Sequence, residues 1–233
     1  MENKWIALAV SVGLVAFSAK VSTDAGPSKS YTLPFISPAY LENTVEVRQN
    51  GIRIGAGFHV GDGLILTAKH VIEAEGPYSV TFRCHDSEDI YTIQATVLLV
   101  SNDADLGSLV VEMPKELKNR KGFKLADAEP VWGAPIVIVG CPGSLNLFPT
   151  SGYYVGLSQV LGYDGAQTIR LVSCQAYFGN SGGPVIDPMS DKVVGVLVAG
   201  NQAYNQSSLI VAIGYLGKFY LECKETLRSR DGK

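Results

Sequence analysis

The sequence predicts an all-β fold of two six-stranded antiparallel β-barrels with a C-terminal helix. Three observations support this prediction: short strand-like segments recur along the chain, glycine-containing turn signals divide them, and a single long segment shows helical spacing. Because the strands do not alternate with long helices, the pattern excludes a parallel sheet covered by helices.

The first half of the chain contains about six candidate strands. Asn50-Gly51 and Gly61-Asp62-Gly63 separate the first three, and these residue types tolerate the positive φ angles of tight turns. The segments are TVEVRQ, IRIGAGFHV, LILTA, YSVTFR, IYTIQATVLLV and LGSLVVE. They predict a first barrel over about residues 41–113.

The second half repeats this rhythm after a connection at residues 113–130. Its candidate strands are APIVIVG, SGYYVGLSQV, TIRLV, PVID, KVVGVLVA and SLIVAI, which predict a second barrel over about residues 131–228. Helical spacing near the C-terminus predicts a helix packed on this barrel; the residues that carry it are Leu216, Phe219, Tyr220, Cys223 and Leu227. The folded domain is thus expected over residues 41–228.

Composition narrows the class of protein. Of the 233 residues, 46% are apolar and 18% charged, which fits a packed interior and excludes a disordered chain or a coiled coil. The net charge of −3 has the wrong sign for attracting polyanions, so no nucleic-acid partner is expected.

The N-terminus carries an apolar run from Trp5 to Phe17 that is too short to cross a bilayer comfortably as a helix. It predicts a secretion signal over residues 1–19, cleaved after Ser18 or, alternatively, after Ala25, and hence a secreted or periplasmic protein. The alternatives are an uncleaved segment anchoring the protein to a membrane, or a helix buried in the fold. Residues 20–40 are expected to form a flexible lead-in.

The four cysteines lack the close pairs that zinc sites use, so no metal and no other cofactor is expected. Export would permit disulfides between them. The spacing of Cys84, Cys141, Cys174 and Cys223 selects no pairing, and buried free thiols remain the alternative.

Three segments of the chain hold candidate catalytic residues. Ser181 lies in GNSGGP, where glycines allow a sharp turn, and Gly179 and Ser181 are candidate backbone donors to an oxyanion. His70 follows an apolar strand and suits a base at a barrel edge. Asp105 precedes the next strand and is the candidate partner of the imidazole, with Asp103 as its rival. The other two histidines, His59 and His85, are expected to be structural.

With these residues in view, the sequence resembles the trypsin-like serine proteases, especially the bacterial Deg (high-temperature-requirement) type and related viral and phage peptidases. The segments that carry the resemblance are GAGFHVGDGLILTAKHVI, DADLGSLVV, LADAEPVWGAPIVIVGCPG and GNSGGPVID, and the order His, Asp, Ser is the family's. The similarity covers roughly residues 45–227, and no PDZ module is expected after the helix.

The resemblance implies a role for each matching residue. His70 corresponds to the base, Asp105 to the acid and Ser181 to the nucleophile, with the backbone of Gly179, Asn180 and Ser181 as the oxyanion hole. The implied walls of the substrate pocket are formed by residues 173–178 and by Val198, Ala199 and Gly200, with Gln175 at its floor. Because no carboxylate occupies that floor position, cleavage after an uncharged side chain is expected.

One departure from the family pattern concerns activation. Many digestive members carry an aspartate before the serine that pairs with a newly cut N-terminus, whereas Asn180 stands here. Activity is therefore expected without trimming to a fixed terminus.

The function these features predict is a serine endopeptidase acting on polypeptides through an acyl-enzyme at Ser181. Two alternatives are a catalytically inactive protease-like binding module and a viral or phage polyprotein-processing protease. The sequence does not indicate an oligomeric state.

Overall fold

The computed structural model describes residues 36–84, 88–143, 146–157, 169–200 and 207–231. These residues belong to one compact unit, Pro34–Lys233. The expected signal segment, most of the expected lead-in and His85 lie outside the described residues.

The first six strands close into the first barrel. They are β1 (Thr44–Gln49), β2 (Ile52–His59), β3 (Leu64–Thr67), β4 (Tyr78–Arg83), β5 (Ile90–Val100) and β6 (Gly107–Val111), and they pair in the order β1-β2-β3-β6-β5-β4. All six pairings are antiparallel. The β1–β2 turn uses the left-handed conformation at Asn50 (φ 51°) and Gly51 (φ 78°), so this Asn-Gly turn is confirmed.

The connection and the second barrel follow. The connection contains the short strand β7 (Lys124–Leu125); the barrel strands are β8 (Pro135–Gly140), β9 (Phe148–Leu157), β10 (Ile169–Ser173), β11 (Pro184–Asp187), β12 (Lys192–Gly200) and β13 (Ser208–Ala212). The order β11-β8-β9-β10-β13-β12 closes through β11–β12 pairing. The prediction of two closed six-stranded antiparallel barrels is confirmed, and β7 adds a parallel pairing to β12 that the sequence did not indicate.

Two α-helices flank the barrels in the described ranges. The predicted C-terminal helix is α2 (Ile213–Asp231), with Leu216, Phe219 and Cys223 buried. A short helix, α1 (Pro38–Asn43), precedes β1; its start lies inside the segment expected to be a flexible lead-in. Its Tyr40 is 2% exposed, and the Tyr40 hydroxyl donates a hydrogen bond to Asp191 in the β11–β12 turn. This bond ties the helix to the second barrel. Neither helix has the length and apolar content that a bilayer-spanning segment requires.

Candidate active site

A carboxylate and an imidazole meet at the edge of the first barrel. His70 lies in a short 3₁₀ turn, Lys69–Val71, directly after β3, and Asp105 precedes β6. The Nδ1 atom of His70 is 2.7 Å from Asp105 Oδ2, and the backbone N–H of His70 donates to Asp105 Oδ1 at 3.0 Å. Since both carboxylate oxygens are engaged, Asp105 fixes the imidazole so that Nδ1 carries the proton and Nε2 is left to act on another group.

This contact also changes the acidity of the histidine. The hydrogen bond that His70 donates to Asp105 raises the pKa of His70 above its ordinary value, although burial acts in the opposite direction. Asp103, the rival partner, instead accepts from Lys218 of α2 at 3.1 Å. The structure thus pairs His70 with the aspartate that the sequence favoured.

Two glycines let neighbouring strands approach this 3₁₀ turn closely. A Cβ at Gly107, the first residue of β6, would lie 2.6 Å from Ile72 Cδ1. A Cβ at Gly55 of β2 would lie 2.8 Å from Val71 Cγ1 and 2.9 Å from the carbonyl oxygen of Ser181. Gly55 therefore marks the place where the histidine turn and the serine turn pack against the same strand.

The serine sits in a tight turn held by the first barrel. The Ser181 carbonyl accepts from Ala56 N at 2.8 Å, and a Cβ at Gly182 would lie 2.2 Å from both the Ala56 carbonyl and Thr67 Oγ1. Gly182 also has a φ of +84°, which disfavours any other residue. Packing and conformation together account for the glycine that follows the serine.

Hydrogen bonds to two carbonyls orient peptide groups of this turn. The Phe178 carbonyl accepts from Gly143 N at 2.9 Å, and the Asn180 carbonyl accepts from Gly183 N at 3.0 Å. Because C=O and N–H are opposed in a trans peptide, the N–H groups that follow these carbonyls, those of Gly179 and Ser181, point the other way. Among the described residues neither N–H has a hydrogen-bond acceptor. Two free backbone donors on the serine turn are what an oxyanion hole requires.

The Ser181 hydroxyl and the His70 ring are not hydrogen-bonded to each other. Within the described part of the chain, the imidazole contacts Asp105 alone through hydrogen bonds. The structure therefore brings His70 and Asp105 together and packs the Ser181 turn against the adjacent strand, without closing the contact from serine to histidine. Such contacts are often long in proteases without substrate and tighten in the complex.

Asn180, inside the same turn, is only 1% exposed. Its side chain packs on Gly140, where a Cβ would lie 2.6 Å from Asn180 Oδ1, and among the described residues its amide has no hydrogen-bond partner.

The residues expected to form the substrate pocket lie on two adjoining segments. A Cβ at Gly200 would be 3.5 Å from the Ala176 carbonyl, and Ser208 Oγ donates to the Cys174 carbonyl at 2.6 Å, so β12 and β13 flank residues 174–176. Gln175 is exposed and Ala199 is half-buried.

Not every expected wall residue offers a side chain to a ligand. Val198 is 4% exposed and belongs to the hydrophobic core, so only its backbone is available to a substrate. Phe178 is 96% exposed and Tyr177 52% exposed, so neither ring fills the space between the two segments.

All four cysteines are free thiols. Burial raises the pKa of Cys141 to about 12 and that of Cys223 to about 11, so neither is a nucleophile at neutral pH. Among the residues that the structure describes, no three His, Cys, Asp or Glu side chains converge on a point that could hold a metal ion.

His59 is 1% exposed and packs edge-on against Phe82, with ring centroids 5.9 Å apart. Burial, reinforced by the charge of Arg120, lowers its pKa to about 4, and it therefore stays neutral. This environment fits the structural role expected for it.

Sequence reasoning missed a buried charge cluster in the first barrel. Glu46 of β1 has a fully buried side chain and forms ion pairs with three arginines: Arg48 (2.7 Å), Arg83 (2.7 Å) and Arg53 (3.8 Å). Burial acts to raise the pKa of Glu46, but the hydrogen bonds from Arg83 and Arg48 outweigh it and hold the pKa below its ordinary value. The one sequence signal for this cluster is the presence of Glu46, Arg48 and Arg53 within the segments that form β1 and β2.

Two closed antiparallel barrels, a histidine–aspartate pair and a serine on a glycine-rich turn define the class of serine endopeptidases. A model of the trypsin-like peptidase domain matches residues 55–196, which is more than half of the chain. The chain belongs to this family. A comparison with curated protein sequences gave no match.

Solved structures share the fold. The active form of the Rv3671c protease from Mycobacterium tuberculosis is similar with a TM-score of 0.64 and 21% identity, over 77% of this chain and 80% of that one. The serine endoprotease from Yersinia pestis has a TM-score of 0.64 and 19% identity, over 79% and 64%. The MamO protease domain from Magnetospirillum magneticum has a TM-score of 0.64 and 16% identity, over 78% and 97%.

Proposed function

We propose that the protein hydrolyses peptide bonds through an acyl-enzyme on Ser181, with His70 as general base and Asp105 as the group that orients it. The observation that carries this proposal is the pair of hydrogen bonds that Asp105 accepts from the backbone N–H and the ring Nδ1 of His70. It sets the tautomer that leaves Nε2 free to accept a proton.

The proposed reaction has two halves. Ser181 Oγ bonds to the substrate carbonyl carbon while its proton passes to His70 Nε2, and the N–H groups of Gly179 and Ser181 bind the oxyanion. The C–N bond then breaks as His70 returns the proton to the leaving amine. Water attacks the resulting ester in the same way, with its proton passing through His70, and this step frees Ser181.

A protease-like binding module without chemistry is the competing function. The test is labelling by a fluorophosphonate, which reacts only with an activated serine. The wild-type chain is expected to be labelled, and Ser181→Ala and His70→Ala are expected to lose labelling. A matched control is Ser190→Ala, because Ser190 lies in the exposed β11–β12 turn. Absence of labelling of the folded wild-type protein would favour the binding module.

We further propose that the enzyme cleaves polypeptides after an uncharged side chain. Gln175, at the expected floor position, offers no carboxylate to Lys or Arg, and Ala199 and Gly200 leave the opposite wall small. A peptide library is expected to show low cleavage after Lys and Arg. Strong preference for either would overturn the assignment of Gln175.

A further inference from the structure

We infer that Arg53 positions the oxyanion hole from the opposite barrel. This inference rests on the proposed function, in which the Gly179 N–H binds the oxyanion. Arg53 lies on β2 of the first barrel, and its Nη2 donates to the backbone carbonyl of Gly143, in the loop that follows β8 of the second barrel.

Gly143 is the residue that orients the Phe178–Gly179 peptide. Its N–H donates to the Phe178 carbonyl at 2.9 Å, and this bond turns the Gly179 N–H in the opposite direction. Gly143 has a φ of +55°, and a Cβ there would meet nothing within 4 Å, so packing around its α-carbon does not hold it in place. The hydrogen bond from Arg53 supplies an anchor at this position.

Arg53 is itself held by the buried carboxylate of Glu46. Its Nη1 lies 3.8 Å from Glu46 Oε1, and the Arg53 side chain is 17% exposed. Glu46 is the central anion for three arginines. The contacts of the other two lie within the first barrel: Arg48 also donates to the Gly51 carbonyl, and Arg83 donates to Glu46 through Nε and Nη2. Of these three, Arg53 extends the network to the serine turn.

Strand β2 reaches the serine turn at two places. Its pairing with β1 shifts register between Arg53 and Gly55, so these two residues lie on opposite faces of the strand. A Cβ at Gly55 would lie 2.9 Å from the Ser181 carbonyl, whereas Arg53 donates to the Gly143 carbonyl. The strand thus contacts the turn at Ser181 and reaches its other end through Arg53 and Gly143.

A second anchor joins the turn to the residue directly after β8. Cys141 N donates to the Gly179 carbonyl at 3.3 Å, which fixes the peptide that follows the Gly179 N–H. The Arg53 contact acts through Gly143 on the Phe178–Gly179 peptide, which contains that N–H. Loss of Arg53 should therefore let the Phe178–Gly179 peptide rotate while the rest of the turn stays in place.

The test compares R53Q with R48Q, because each removes one arginine from Glu46 and only R53Q breaks the contact with Gly143. With a peptide ester substrate, R53Q is expected to lower kcat by about 10- to 100-fold with KM changed less than about twofold, the loss typical of a misplaced oxyanion donor. R48Q should keep kcat within about twofold, since it leaves the turn intact. R53K should recover part of the loss, because an ammonium can still donate to a carbonyl.

Hydrogen exchange measures the same contact without relying on activity. The Gly143 amide in R53Q is expected to exchange about tenfold faster than in the wild-type chain or R48Q, because its bond to Phe178 opens more often. Equal exchange in R53Q and R48Q, equal kcat in the two variants, or an R53Q chain that fails to fold while R48Q folds would each overturn the inference. Lack of turnover by the wild-type protein would instead reject the proposed function, and exchange would still decide the role of Arg53.

Discussion

At the scale of single residues, the pairing of Asp105 with His70 is the most consequential contact in the protein. One carboxylate oxygen binds the backbone N–H and the other binds Nδ1, so the ring is oriented relative to the main chain that carries it. The His70 side chain is 43% exposed, and it can meet a substrate while Asp105, 17% exposed, stays behind it.

The raised pKa of His70 sets the direction of the pH dependence. The base must be neutral to accept a proton, and a raised pKa means that it becomes neutral only above its ordinary pKa of about 6.5. We therefore expect kcat/KM to fall as pH decreases, with a midpoint above about 6.5. A profile that stays flat down to pH of about 4 would contradict His70 as the base.

The substitution Asp105→Asn tests whether Asp105 causes the raised pKa of His70. The amide cannot stabilise the imidazolium, so the midpoint of the pH profile should move downward, and kcat should fall by up to about 10⁴-fold, as for the equivalent change in other serine proteases. Asp103→Asn is the matched control, because Asp103 is bonded to Lys218 and not to His70. Equal losses in the two variants would contradict the assignment.

At the scale of elements, strand β2 joins the parts of the site. It carries Gly55, against which the Val71 side chain and the Ser181 carbonyl pack, and Arg53, which reaches the loop after β8. The 3₁₀ turn that bears His70 lies between Gly55 on one side and Gly107 on the other. Because these neighbours leave no room for a methyl group, the two glycines set the spacing of the elements.

Gly55→Ala is expected to damage stability and activity together. The new Cβ would lie 2.9 Å from the Ser181 carbonyl, a backbone atom that cannot move aside cheaply. A loss of about 1–3 kcal/mol in the free energy of unfolding is expected from overpacking, with a clear fall in kcat as Ser181 shifts.

Gly217→Ala in α2 is the matched control for Gly55→Ala. A Cβ at Gly217 meets nothing within 4 Å, so this change should stabilise the helix by about 0.5–1 kcal/mol without changing kcat. Denaturant unfolding and steady-state kinetics measure both effects. Full activity and stability of Gly55→Ala would show that the strand and the serine turn are not in tight contact.

At the scale of the whole molecule, the C-terminal helix that follows the second barrel is tied to the first barrel by side-chain contacts. Lys218 and Lys224 of α2 bind Asp103 and Asp62 of the first barrel, while Cys223 donates to Ser108 of β6 at 3.3 Å. Helix α2 therefore contacts the first barrel on both sides of Asp105 in the sequence, at Asp103 and at Ser108.

Activity is expected to be independent of the N-terminal residue. Asn180 carries no charge for a new amino terminus to pair with, and its side chain is already buried against Gly140. Chains beginning at Ala19, Gly26 or Lys29, all before helix α1, should have kcat/KM values within about twofold of each other. The reason is that moving an exposed terminal charge changes the free energy of the folded protein very little. Activity confined to one trimmed terminus would contradict this expectation.

The N-terminal segment itself stays a prediction. Sequencing the mature N-terminus after expression with an intact export pathway would test cleavage after Ser18 or Ala25, and retention of Met1 in the membrane fraction would favour an anchor.

Local sequence patterns determined most of the architecture. The boundaries of β1, β4, β5 and β11 coincide with the predicted segments, and the Asn50-Gly51 turn has the expected positive φ angles. These features follow from alternation and turn chemistry within a few residues, so they can be predicted without knowing what the strands pack against. The motifs around His70, Asp105 and Ser181 are local in the same sense.

Tertiary structure alone decided how those motifs are held. The contact of Arg53 with Gly143 joins residues 90 positions apart, the parallel pairing of β7 joins Lys124 to Lys192, and the packing at Gly55 depends on Val71 and Ser181. Such contacts leave no periodicity in the sequence, because each partner satisfies its own local pattern and the pairing arises only when the two barrels close against each other.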